Sequence, residues 1–386
     1  MKVRVAAIAI LALIVMSCND EKKKKEMDDN AAVKTEKGEG EYPFYIGTYT
    51  DGDSKGIYRY ALKNDGSFRK IGLATASQNP SFLSFSSDGN YLLAVNEIQN
   101  EAGMGTVESY QIKADTLTFI SRSPSAGAHP CFITTNEQGY VLVANYTGGN
   151  IGLLQMADNG VLSGLLDTQN HKGKGTTDRQ EGPHAHSAWF DSDSKVVSID
   201  LGTNELWFSQ LDTAQKKLTP LDPNTLKMAP GAGPRHLTFH PQQDWAYVIN
   251  ELNATVTLIK KNTVDTYEVI DSIGTLPEDY KGENSCADIH ISDDGKFLYA
   301  SNRGHNSIAI YRVNDQSGKL TLLGHESTRG DGPRNFSLSP DGRFLLVANQ
   351  RTNNIVSYRR DAATGLLRFI AEIDAPTPVC ILFDKM

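Results

Sequence analysis

The sequence predicts an all-β chain folded as one seven-bladed β-propeller of four-stranded blades, and three observations carry that prediction. An apolar segment ending in Asn or Asp recurs at Asn96, Asn145, Asp200, Asn250, Asn302 and Asn349, at intervals of 49, 55, 50, 52 and 47 residues, the period of propeller blades. Each segment follows an alternating stretch and a Gly turn, the pattern of a β-hairpin. The two chain ends are also complementary. Tyr45–Thr48 reads as a second strand without a first, and Pro378–Phe383 as a first strand without a second. Pairing them in one shared blade closes the ring and removes exposed sheet edges.

Along the chain, the first element is an address. Lys2 and Arg4 precede an apolar run of 12 residues, Val5–Met16, too short to span a bilayer comfortably. Val15-Met16-Ser17-Cys18 resembles a bacterial lipobox. Residues 1–17 are therefore expected to be a lipoprotein-type signal peptide, and Cys18 the lipidation site. An exported protein held to the cell envelope, periplasm or outer membrane, follows from that reading. Residues 18–41 are polar, with a run at Lys22–Lys25, and read as a flexible tether. Residues 42–386 form the propeller. The 386 residues are 39% hydrophobic and 8% aromatic, enough apolar matter to exclude global disorder. Net charge is −8, and −10 once residues 1–17 are removed. Without a long basic tract, a nucleic-acid partner is excluded. The membrane is met only through the lipid anchor, and a monomer is expected.

The clearest hairpins run from Asn79-Pro80 through Asp88-Gly89 to Tyr91–Asn96, from His129-Pro130 through Gly139 to Val141–Asn145, and from Pro333 through Asp341-Gly342 to Phe344–Asn349. Weaker copies end at Asp200, Asn250 and Asn302. Two outer strands follow each hairpin, as in Asn354–Tyr358 and Thr364–Leu367. Cys131, Cys286 and Cys380 fall in three different repeats, so they are expected to be buried thiols without disulfide or metal.

In such a blade the first strand starts and the second ends at the same face, with the Gly turns at the other. That mouth face also receives the long segments 167–182, 222–233 and 276–285, and irregular loops on a rigid scaffold are the usual seat of chemistry. Equivalent mouth positions can be compared. After the strand-opening Pro stand Ser81, Cys131, His184, Arg235, Arg334 and Val379, with Ala287 in the degenerate copy. After the closing Asn or Asp stand Glu97, Tyr146, Leu201, Glu251, Arg303 and Gln350. His184, Arg235, Glu251 and Arg303 have no like counterpart at most of these sites. With Arg334 they suggest an anion-binding mouth, since clustered arginines repel one another and suit bidentate bonding to an anion. His186 aligns with Leu83, Ile133 and Leu237 and reads equally as a core or a supporting residue. His236 and Asp200 are further substrate-binding candidates, although His236 could be structural and Asp200 a turn cap.

The segments GPHAHSAWF (182–190), IDLGTNEL (199–206), GAGPRHLTFHP (231–241), INELNATVT (249–257), SNRGHNSIAIY (301–311) and DGPRNFSLSPDGRFLLVAN (331–349) together resemble the propeller lactonase family, which includes 6-phosphogluconolactonases and carboxy-cis,cis-muconate cyclases. The resemblance spans the chain after the tether and places the family's site residues on His184, Arg235, Glu251 and Arg303. It implies hydrolysis of a sugar lactone at the mouth, without cofactor or metal. His184 or Glu251 would be the general base, and Arg235 and Arg303 the oxyanion or substrate clamp. No Gly-X-Ser-X-Gly elbow or metal-ligand spacing is seen. Two alternatives stay open: a lactonising cyclase of the muconate type, and a non-enzymatic envelope propeller that binds saccharide or protein. The export signal favours an unphosphorylated or carboxylated sugar lactone over a 6-phosphorylated one.

Overall fold

The computed structural model describes residues 40–191 and 194–385. The expected signal peptide, the lipidation site Cys18 and the tether up to residue 39 lie outside the described residues. The rest forms seven sheets of four antiparallel strands. One 3-10 turn spans Asp178–Gln180. Counting from the first complete repeat, the innermost strands of blades 1 to 7 are Leu83–Phe85, Pro130–Thr135, Ala185–Phe190, Pro234–Phe239, Ser285–Ile291, Pro333–Leu338 and Pro378–Phe383. Ring closure is as expected: in blade 7 Phe44 stands opposite Phe383, Ile46 opposite Ile381 and Gly47 opposite Cys380. The first strand opens at Glu41, one residue ahead of the expected boundary.

Alternation explains how a strand can be apolar throughout. In Tyr91–Asn96, Leu92 and Ala94 pack with Tyr45 and Leu83 toward blade 7, while Leu93 and Val95 pack with Ile133, Val141 and Val143 of blade 2. Each sheet is covered on both faces, so hydrophobic residues run continuously instead of alternating with polar ones. Seven apolar clusters fill the seven gaps between neighbouring blades. Each fully buried Leu, Val or Ile contributes about 1.5–3 kcal/mol. At the inner rim, polar bonds tie one blade to the next: Thr135 Oγ1 donates to the Phe85 carbonyl at 2.7 Å, Ser187 Oγ to the Arg235 carbonyl at 2.8 Å, and the Ile381 amide to Asn335 Oδ1 at 2.7 Å. Cys131, Cys286 and Cys380 are buried free thiols.

One register departs from the repeat alignment. In blades 2, 4 and 6 the closing Asn faces Pro130, Pro234 and Pro333. In blade 3 the closing Asp200 faces Ala185, two residues beyond Pro183. Pro183 ends a longer loop there, so aligning on proline misplaces the strand by two. A bulge between Ala185 and Ser187 makes His186, not His184, the counterpart of Cys131, Arg235 and Arg334. Ala188 takes the core position expected for His186.

Candidate functional site

The same bulge recurs in blades 2, 3, 4 and 6, and a bulge re-aims a side chain out of the strand's alternation. Cys131, Arg235 and Arg334 thereby reach one narrow cavity on the propeller axis, which Ser81, Glu97, His236 and Val379 also line. The residue after each closing Asn supplies the next tier, which holds Glu251 and Arg303.

Glu251 is 5% exposed and is the hub of the mouth. Its Oε2 accepts from Arg235 Nε at 3.1 Å and lies 2.9 Å from Arg303 Nη2. Its Oε1 accepts from Arg179 Nη2 at 3.2 Å. The two inner guanidiniums are also held by the backbone: Arg235 Nη1 donates to the Ala287 carbonyl, and Arg303 Nε and Nη2 to those of Ser285 and Cys286 at 3.2 and 3.0 Å. Burial alone would raise the Glu251 pKa, but Arg303, Arg235 and Arg179 outweigh it and bring the group down to about 2. Burial, with Arg303 and Arg334 nearby, lowers Arg235 to about 10. The expected anion for these arginines is thus partly built into the protein.

His184 lies beside this hub. Its ring stacks on Tyr146 at 4.6 Å. Its Nδ1 is 3.2 Å from the Tyr146 carbonyl and its Nε2 is 3.1 Å from Glu181 Oε1. Arg179 Nη2 donates to the Tyr146 hydroxyl at 2.8 Å, so His184, Tyr146, Arg179 and Glu251 form one connected network. Asp200 supports it from behind. Fully buried, it accepts from the amides of His184 and Thr203, both at 2.8 Å, and pairs with His171 Nδ1 at 2.8 Å. Its carboxylate is thus engaged inside the blade.

Arg334 is set apart from Glu251. Its Nη2 donates to the Tyr49 hydroxyl at 2.8 Å, and that hydroxyl donates to Glu97 Oε2 at 2.8 Å. His186 and His236 are buried, with ring centroids 5.3 Å apart, and His236 lines the narrow cavity beside Arg235 and Arg334. Burial and the nearby Arg235 hold His186 well below the usual histidine range and bring His236 down to about 4.

The structure therefore gathers His184, Arg235, Glu251 and Arg303, keeps Arg334 close by, and buries Asp200, His186 and His236 beside them. Sequence comparison passed over five groups. Glu97 and Tyr146 occupy the same position after the closing Asn as Glu251 and Arg303, so their signal was present. Arg179, Glu181 and Tyr49 lie on loops without a repeat to compare. Among the described residues, no group of three or more His, Cys, Asp or Glu is placed to hold a metal ion.

Residues 43–383 match the family model described as lactonase, 7-bladed β-propeller. A 6-phosphogluconolactonase of Bacillus subtilis is 35% identical over 349 residues, covering 89% of this chain and 98% of that protein. A 6-phosphogluconolactonase of Formosa agariphila is 34% identical, covering 76% and 85%. The solved structure of a periplasmic gluconolactonase of Pseudomonas aeruginosa superposes with a TM-score of 0.84 at 29% identity, covering 89% of this chain and 99% of that one.

Proposed function

The chain belongs to the seven-bladed β-propeller lactonase family and is a lactone-hydrolysing enzyme, and we propose that its substrate is an unphosphorylated or carboxylated sugar lactone, opened at the mouth by a metal-independent route. The observation that carries this reading is the network that joins His184 to the clamped Glu251. A carboxylate held at about pKa 2 by guanidiniums is too weak a base to activate water near neutral pH. His184 is the base. The Tyr146 carbonyl can only accept a hydrogen bond, so Nδ1 keeps a proton; Nε2 faces the equally accepting Glu181 carboxylate and offers a lone pair only when it is deprotonated and released from that contact. Glu181, whose side chain is 66% exposed, swings aside to admit water.

Nε2 then takes a proton from water as the new C–O bond forms at the lactone carbonyl. The carbonyl oxygen gains the negative charge, met by the guanidinium of Arg303 or Arg235. Collapse breaks the ring C–O bond, and the proton on His184 passes to the departing ring oxygen. Glu251 keeps both arginines aimed.

Charge supports the substrate class. Arg179, Arg235, Arg303 and Arg334 face Glu97, Glu181 and Glu251, a surplus of one positive charge. That matches a neutral or singly charged lactone better than a phosphate monoester of about −1.5 to −2 at pH 7. The test compares kcat/KM for gluconolactone, a uronic-acid lactone and 6-phosphogluconolactone on one preparation, with and without chelator. An unphosphorylated lactone should be preferred and the chelator should change nothing. A preference of about 100-fold for the phosphorylated lactone, about 2.7 kcal/mol, would show that phosphate is read directly.

A further inference from the structure

We propose that His236 and Asp288, buried beneath the mouth, are positioning residues that fix the aim of Arg235, a role that rests on the lactonase reading above. Donors and acceptors dictate the arrangement. Asp288 Oδ1 is 2.9 Å from His236 Nδ1, and His236 Nε2 is 3.3 Å from Arg235 Nη1. An ionised carboxylate only accepts and a guanidinium only donates. Nδ1 must therefore carry the imidazole proton, and Nε2 must offer its lone pair to Arg235. Were the tautomer reversed, two N–H groups would confront each other and the guanidinium would turn.

Asp288 is itself immobilised. Its Oδ1 also accepts from the Ile289 amide at 3.0 Å, and its Oδ2 accepts from Asn335 Nδ2 at 2.6 Å and lies 3.1 Å from His290 Nε2. His290 and His236 hold it well below the usual carboxylate range against the opposing effect of burial. The charged and titratable groups around His236 are Arg235 on its own strand, His186 of blade 3, Asp288 and His290 of blade 5, and, around the small cavity that it lines, Glu97, Cys131 and Arg334. The rings of Phe82 and Phe132 pack edge-on against His236. Arg235 is thus gripped from three directions, by Glu251, by the Ala287 carbonyl and by His236.

Two measurements on the full chain test the relay. In protein labelled with 15N-histidine, NMR should show His236 as the Nδ1–H tautomer, and Asp288→Ala, which leaves Nδ1 without its acceptor, should weaken that preference. His236→Phe removes the acceptor and should lower kcat/KM for gluconolactone by about 100-fold, the effect of a small misalignment. His236→Gln can present an oxygen to Arg235 and should recover most of that loss. An Nε2–H tautomer in the unaltered protein, or a folded His236→Phe with unchanged kcat/KM, overturns the relay. Equal losses in the Phe and Gln variants also overturn it, because they would report packing alone. If His236→Phe does not fold, the tautomer and the Gln variant decide. Absence of turnover in the unaltered protein would instead remove the lactonase reading, and the tautomer would still test the geometry by itself.

Discussion

Replacing Glu251 by Gln keeps the shape of the side chain and removes the charge around which three guanidiniums gather. Leaving buried Arg235 without its counter-charge should cost about 3–5 kcal/mol of stability. Loss of arginine alignment should lower kcat/KM by about 10²–10⁴. Thermal melts and kinetics on the same samples measure both effects. The pH dependence has a definite sign. The folded pKa of about 2 lies below the ordinary 4.5, so the stabilisation is present above pH 4.5 and is lost as pH falls from there toward 2. Over that interval the melting temperature of Glu251→Gln should fall less steeply. Arg235, Glu251 and Arg303 were legible in the sequence because each breaks the residue type of a repeated position, whereas His184 was reached through a comparison two residues out of register. Asp200 was ambiguous because a capping carboxylate and a binding carboxylate are written with the same letter. Arg179 was not legible, since only the folded loop carries it to Glu251.

At the level of elements, the innermost strand of blade 7 is the most informative to remove. A chain ending at Ala375 loses the partners of Phe44 and Ile46 and the bond from the Ile381 amide to Asn335. It exposes the edge of Glu41–Thr48. Such a chain should aggregate or lose its single cooperative unfolding step in calorimetry. A truncated protein that melts like the full one would contradict closure by this strand. The hairpin repeat was legible because both faces of each inner sheet are buried, which writes a nearly unbroken apolar run. The outermost strands are half-exposed and carry weaker patterns. The outer strand of blade 2, Asp167–Asn170, has only four residues and no apolar side chain to announce it. The two-residue error in blade 3 has a similar cause, because its proline belongs to a loop while the hydrogen-bond register belongs to the strand.

At the scale of the whole molecule, the residues from Cys18 up to the first strand at Glu41 are proposed as the tether of an exported lipoprotein. Replacing Cys18 by Ser should abolish incorporation of labelled fatty acid and release the protein from the membrane fraction. Label retained by the Ser variant would reject Cys18 as the attachment point. Among the described residues no helix is long and apolar enough to cross a membrane. The shared blade also sets an order of events during biosynthesis. Phe44 is among the first described residues to be translated and its partner Phe383 among the last, so the ribosome must finish nearly the entire chain before the two can meet. Contacts so distant in sequence form late and slowly. Until Pro378–Phe383 pairs with Glu41–Thr48, the ring is an open arc with an unpaired strand edge at each end, the state that chaperones bind and that aggregation threatens. The final six-residue strand therefore acts as a completion signal, converting a vulnerable nascent chain into a closed ring only once every blade has been made.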